Sequence, residues 1–528
     1  MKMEVSNMIK NSKKKDLIIS ILLGVYLSFV TSPVEWSSIN YILFFVKSFF
    51  FSYLINIGLR FFSKLSFKYK DEKLTRKDYV YIFLYIMFIM SVAIFIYYPI
   101  NFTTDMNEQY RQVMSGEYSD WHPIIHTIFF YRIPTLFIES EFMCSLFQMI
   151  FIDLILLYFC YFLNKYGFSK KSIIFIISLF ILNPSFDFMA ISPLKDVAFS
   201  YCLFIVTLFF IDIYMSDGRW LKRKLNFFLF LLASFGITFF RHNGIFSFLV
   251  MMIVLIMGYK NIRKKSLCIF FIILSLRFVF IPIVYNIKGI RKTNVTISEM
   301  VCVMLNQMLY IYDNGGKITN SQMKQLDYFQ DLEKVSEYYN PYDYNKIKYP
   351  MDYHLKYSYR INTEPKKFFT LYKDMVMSNK KLAIKSYAYT MYCMYHIGLD
   401  TTTNNRDLYF IAYSGNDYSD VQEGFFAYKI SISNWFFSIF LVTVSTGLFY
   451  IIFSLLYCLL YSKNKFKEKI KLILPYVPVL SNFLLMMFLL PGKETRFIYS
   501  NILCAYPLII LLILLNKRMN KSSKEIIK

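Results

Sequence analysis

A single polar segment, residues 101–132, reads NFTTDMNEQYRQVMSGEYSDWHPIIHTIFFYR and lies between two strongly apolar stretches. It holds Asp105, Glu108, Gln109, Asp120, Trp121, His122 and His126. Carboxylates beside a carboxamide and imidazoles are the groups that activate a hydroxyl and handle a phosphate: the carboxylate takes the proton, and the amide and imidazole orient the oxygens. If the segment is helical, Asp105, Glu108, Gln109 and Gln112 lie three and four residues apart and share one face. Partial burial at a membrane face is expected to raise the Asp105 pKa toward that of a general base; an ordinary solvated aspartate is the alternative. His122 precedes Pro123, which suits the first turn of a helix, so His122 is expected at a helix N-terminus, where anions are favoured. There it is either a phosphate or hydroxyl ligand or a capping imidazole, with Trp121 as interface anchor. His126, one turn on, is a second ligand or a polar residue inside the bundle.

Other rare charges recur at the ends of apolar runs. Lys195-Asp196 opens one run, Arg241-His242-Asn243-Gly244 forms a tight turn, and Glu494 and Arg496 sit in PGKETRF. Such cations can clamp phosphoryl oxygens, or they can snorkel to lipid headgroups. Lys47, Asp153, Asp212 and Arg277 fall inside apolar runs, where ionisable groups are functional candidates; a pair between Asp153 and Lys47 or Arg277 would be structural. A divalent metal on Asp105 and Glu108 is conceivable, although two carboxylates are few ligands, and no other cofactor is indicated. The eight cysteines are scattered without a CxxC or His/Cys cluster, so neither a zinc site nor a disulfide framework is expected.

The elements that must position these groups are membrane helices. With 56% hydrophobic residues and apolar runs long enough to cross a bilayer, the 528 residues describe an all-α polytopic membrane protein rather than several soluble domains. About twelve runs of near-spanning length occur, at 16–34, 40–62, 79–99, 142–163, 173–190, 197–215, 225–240, 245–258, 266–285, 433–461, 471–490 and 497–516. The net charge of +24 is explained by short lysine-rich loops between runs, not by a nucleic-acid surface. These loops alternate, so the positive-inside rule places both termini in the cytoplasm and the distinctive polar loops outside. Lys10 to Lys15 followed by apolar Leu17 to Val30, with no small-residue cleavage site, reads as a first membrane helix. Three regions result: 1–285 as a bundle with the outer loop 99–141, 286–432 as an extracytoplasmic or interfacial helical segment, and 433–528 as further membrane helices.

YYPINFTTDMNEQYRQVMSGEYSDWHPIIHT resembles the first outer loop of GT-C-type membrane glycosyltransferases, the bacterial relatives of protein O-mannosyltransferases and lipid A aminoarabinose transferases. A tyrosine-proline span end (Tyr98-Pro99), then an acidic residue (Asp105), then a histidine-proline pair (His122-Pro123) carry the likeness. Lys195-Asp196, the Arg241 to Gly244 turn with Asn243, Gln307, and Glu494 to Arg496 also look like positions of a bacterial branch of that group. The resemblance spans Tyr98 to Pro507. It implies a GT-C-like bundle, a polyprenyl-phosphate-linked sugar as donor, and transfer outside the cytoplasm to an envelope glycan, lipid or protein. It further implies Asp105 as base, with Lys195, Arg241 and Arg496 toward the donor phosphate. Met106 follows the acidic position, so the tandem acidic pair of protein O-mannosyltransferases is missing. Three spans precede the loop instead of one.

Glycosyl transfer passes through an oxocarbenium-like state, and a phosphate leaves without a general acid, so one carboxylate and several cations suffice. An oligosaccharide polymerase or ligase would share the donor lipid and the outer cations. A lipid or polysaccharide transporter would instead concentrate polar groups near the bilayer midplane.

Overall fold

A computed structural model of the protein describes residues 2–64, 73–97, 103–182, 184–293, 296–348, 356–395, 444–461, 471–490 and 495–527. Among them regular structure is helical; there is no strand, only an isolated parallel bridge between Ser119 and Arg291. Among the described residues six helices are long and apolar enough to cross a membrane: Ser38–Arg60, Glu141–Lys165, Lys195–Met215, Lys260–Lys288, Lys471–Leu489 and Arg496–Asn516. The apolar helices Lys224–Phe239, Gly244–Gly258 and Gly447–Leu460 are shorter. The Tyr98-Pro99 pair and residues 396–443 lie outside the described residues.

Lys195–Met215 is the axis of the bundle. Its apolar window is 89% buried inside protein, whereas that of Ser38–Arg60 is only 6% buried, as suits a helix facing lipid. One continuous apolar core joins residues from the 82–285 region to residues between 451 and 514, so the C-terminal helices close around the same axis. A separate core, from Val301 to Ala383, is built by the helices Cys302–Asp313, Asn320–Phe329, Pro365–Ser378 and their neighbours.

The run at 173–190 is not one span. Lys170–Ile181 ends at Leu182, and a short helix, Pro184–Ile191, follows. Proline lacks the N–H that would continue the ladder of the preceding helix and suits the first position of a new one, where Pro184 stands. The carbonyls freed at the end of the short helix do not go unpaired: the Gln148 amide donates to Met189, Ala190 and Ser192, and Tyr131 donates to the Pro193 carbonyl at 2.7 Å. Two further proline effects recur as π turns, Ile128–Arg132 before Pro134 and Leu276–Phe280 before Pro282, where the helix widens just ahead of the ring.

Polar contacts separate the molecule into two ends. The central helix runs from Lys195 to Met215, about 30 Å at helical rise. Near its far end, Lys165 meets Asp212 at 2.6 Å and Lys471 meets Asp217 at 2.8 Å, with Asn261 on the Asp217 carbonyl. The Lys195 end gathers Asp105, Arg241 and Arg496, as described below. It is continuous with the start of the 286–432 segment through Asp120, which accepts from the Thr293 amide and hydroxyl at 2.6 and 2.8 Å. Of the charges inside apolar runs, Lys47 donates to the Thr31 carbonyl and Arg277 lies over the Phe239 ring. Neither pairs with Asp153, the structural alternative that the sequence leaves open, and its fully buried carboxyl has no hydrogen bond among the described residues.

Candidate functional site

Thr104–Ser115 is a helix, ended by Gly116 in the left-handed region, and it turns Asp105, Gln109 and Gln112 inward. Gln112 is fixed by Ser119 on the returning chain, donating to its hydroxyl at 3.1 Å and accepting from its amide at 3.3 Å. Gln109 is fully buried: its Oε1 lies 2.8 Å from His126 Nδ1 and accepts from Thr127 at 3.1 Å. The geometry therefore puts the His126 proton on Nδ1 and makes His126 part of the bundle wall, packed against Phe130 and Phe240. Pro123 starts the next helix, as its position predicts, and leaves His122 at that helix's head.

Asp105 Oδ2 receives Arg496 at 2.9 Å and Lys195 at 3.3 Å. Lys195 also donates to His122 Nδ1 at 2.8 Å, which fixes His122 as the neutral tautomer protonated on Nε2. Behind this row, Asp196 lies 2.9 Å from Arg241 and 4.0 Å from Arg496. The Arg241 guanidinium is held over the Phe199 and Phe497 rings, with Met486 Sδ at 3.5 Å. Residues 90 and 391 positions from Asp105 thus meet at one carboxylate oxygen.

The cluster has a front and a back. Asp105, Lys195 and Arg496 keep 25%, 19% and 15% of their side-chain surface open, while Asp196 and Arg241 keep 1% and 8%. A ligand can touch the first three; Arg241 acts through Asp196 and Arg496. Three cations against two carboxylates leave an excess positive charge at the front. The N-terminus of the central helix at Lys195 adds its dipole with the same sign.

Electrostatics overturns the expected rise in the Asp105 pKa. Burial opposes its ionisation, but Lys195 and Arg496 outweigh burial and hold the carboxyl well below the usual carboxylate range. Burial, then the Lys195 ammonium, pushes His122 down to about 2 against the pull of Asp105, and the same two causes put His126 at about 3. Both imidazoles are neutral donors or acceptors rather than acids at neutral pH.

Other expected site residues lie elsewhere. Glu108 pairs with Arg111 at 2.8 Å and accepts from the Gln112 amide at 3.3 Å, so it is held within its own helix instead of joining the Asp105 cluster. With Asp105 facing cations and Glu108 facing Arg111, these two carboxylates do not fit a divalent metal, and no group of three or more His, Cys, Asp or Glu side chains suited to one occurs among the described residues. Gln307 belongs to the second core, where it donates to the Ala383 carbonyl and accepts from Tyr372. Asn243 precedes the helix Gly244–Gly258 without a side-chain cap. Glu494 lies outside the described residues. His242 contributes a brace, its Nε2 lying 3.0 Å from the Asp120 carbonyl oxygen. Sequence reasoning missed Gln148, Tyr131, Phe199 and Phe497. Only Gln148, an amide inside an apolar run, carried a visible signal.

Fold and site define a helical protein with membrane-spanning capacity and a partly buried ionic cluster at one end. Residues 137–523 match the model of DUF6020, a family of unknown function, and the chain belongs to that family. The match includes Lys195, Asp196, Arg241 and Arg496; Asp105 and His122 precede it. No curated protein and no solved structure matches.

Proposed function

We propose that this chain is a GT-C-like membrane glycosyltransferase with about twelve spans and both termini in the cytoplasm. It moves a sugar from a polyprenyl-phosphate donor to a cell-envelope acceptor on the extracytoplasmic face. The observation that carries the reading is the open front row: an ionised carboxylate held between two accessible cations of a cluster with surplus positive charge. In this reading the donor phosphate takes Lys195 and Arg496 from Asp105, which neutralises the departing charge. Asp105, relieved of its two cations, gains basicity and receives the acceptor's proton as the glycosidic bond forms and the sugar–phosphate bond breaks. His122, neutral and tied to Lys195, orients that ammonium.

The test is mass spectrometry of envelope glycans from a deletion strain complemented with variants. Wild type restores the missing glycan. Asp105→Asn inserts normally but loses about 100-fold or more of transfer, the usual contribution of a positioned base. Full restoration by Asp105→Asn removes the base assignment, and a deletion that alters no envelope glycan removes the transferase. A transporter reading draws on Asp153, buried within a membrane helix without a hydrogen-bond partner among the described residues. In that case the glycan profile responds to Asp153→Asn and not to Asp105→Asn.

A further inference from the structure

A cavity of about 480 Å³ opens where the N-terminal hairpin meets the helical segment after residue 296. None of the residues of the ionic cluster lines it. One wall is the turn between the first two helices, including Glu35; the other comes from the helices Cys302–Asp313 and Lys380–Tyr395 and the turn at Pro341. Four tyrosines form its lining. Tyr310, Tyr389 and Tyr392 are nearly buried, and Tyr342 stands edge-on to Tyr389 at 4.9 Å and to Tyr392 at 5.5 Å. Tyr310 lies against the far side of this group, 5.5 Å from Tyr389. Asp313 and its neighbour Asn314 are exposed at the rim.

The hairpin wall is latched in place. Glu35 accepts from the Tyr389 hydroxyl at 2.6 Å and pairs with Lys385 at 2.9 Å. Gly24 and Ser52 bring the two hairpin helices into contact so close that a Cβ on Gly24 would fall 2.1 Å from the Ser52 hydroxyl. The cavity is therefore a preformed space, and its volume lies in the range of small-molecule sites, about 300–1,000 Å³.

Its chemistry selects among ligands. A carboxylate at the rim disfavours phosphates and other anions. Of the two lining carboxylates, Glu35 is already paired with Lys385, whose ammonium also lies 5.9 Å from the centre of the Tyr389 ring, so a further cation gains only from Asp313 at the rim. A lipid tail gains little from an acidic rim. What remains is a neutral ligand with an apolar face for the tyrosine rings and hydroxyls that donate to the Asp313 carboxylate and the Asn314 Oδ1, the Asn314 Nδ2 already donating to the Tyr310 carbonyl and to Asp313. A saccharide ring has both.

We infer that this cavity is a saccharide-binding subsite that holds the glycan chain receiving the transferred sugar. Its place in a transfer reaction rests on the transferase reading; the binding does not. The cavity shares an end of the molecule with the ionic cluster. Tyr387 of the Lys380–Tyr395 helix donates to the Met487 carbonyl, one residue from the Met486 that touches Arg241.

Isothermal titration of the purified full chain in nanodiscs tests this with glucose, galactose, mannose, N-acetylglucosamine and β-linked tetramers of glucose and of N-acetylglucosamine. Inorganic phosphate and tetramethylammonium serve as anionic and cationic controls. At least one saccharide is expected to bind, with affinity falling about tenfold or more in Tyr342→Ala, because one ring face is lost. Asp313→Asn, an exposed rim change that leaves packing intact, is expected to weaken the same saccharide. Binding of the controls alone, of no saccharide, or of saccharide with unchanged affinity in both variants overturns the inference. Saccharide binding that depends on Tyr342, in a protein whose deletion leaves envelope glycans intact, sinks the transferase and keeps the subsite.

Discussion

At the scale of single residues, the cluster behaves as a counter-ion arrangement. Asp196 and Arg241 are both buried and 2.9 Å apart, so each depends on the other for compensation. Removing one partner of such a pair costs about 3–5 kcal/mol, whereas removing both costs less because no uncompensated charge is left. Thermal unfolding in detergent is therefore expected to show Asp196→Asn and Arg241→Met each strongly destabilised, and the double variant more stable than the sum of the two losses implies. Strict additivity would mean the two charges are independent. The residue types of this site were legible in the chain: Asp105, His122, Lys195 and Arg496 come together as their chemistry suggested. The direction of the Asp105 shift was not, because burial is guessed from local sequence while its two cations come from distant segments.

At the scale of elements, close approaches decide where the charges point. Arg241 sits just before the helix Gly244–Gly258, and a Cβ on Gly244 would fall 1.8 Å from the Ile237 carbonyl oxygen. Backbone cannot yield that distance, so the turn holds Arg241 over Asp196 only with glycine at 244. Gly244→Ala is expected to destabilise the protein by about 1–3 kcal/mol, as overpacking does. Gly58→Ala, where added carbon meets nothing within 4 Å, is the matched control and is expected to leave the melting temperature unchanged or slightly raised. Equal melting of the two variants would show that the turn tolerates displacement. Helix positions are readable from apolar runs, but the 173–190 run reads as one span where the structure has two helices, Lys170–Ile181 and Pro184–Ile191. The repair of this break by Gln148 and Tyr131 is a contact between segments that no local pattern encodes.

At the scale of the whole molecule, three histidines held neutral gather near the Lys195 end. His122 and His126 stand at about 2 and 3, and burial, then Arg277 and Lys195, lowers His242 to about 4. In the unfolded chain each titrates near 6.5, so below that pH the unfolded state binds more protons and gains on the folded one. Stability is thus full above about pH 6.5 and falls on acidification, by about 1.4 kcal/mol per pH unit for each fully buried imidazole. Melting curves from pH 7.5 to 5 are expected to shift downward, and His126→Gln to flatten that slope by about one proton; a pH-independent melt would contradict neutral histidines. The sequence by itself determined the helical class, because apolar runs and basic loops are local quantities set by residue type and spacing. It also determined which side chains were scarce enough to matter. Only the tertiary structure decided which of them meet, which stand in front, and that Gln307 and Glu108 serve other contacts. Those outcomes depend on distances between segments up to 391 residues apart, and they are fixed by how the helices pack around the central axis rather than by any stretch of the chain alone.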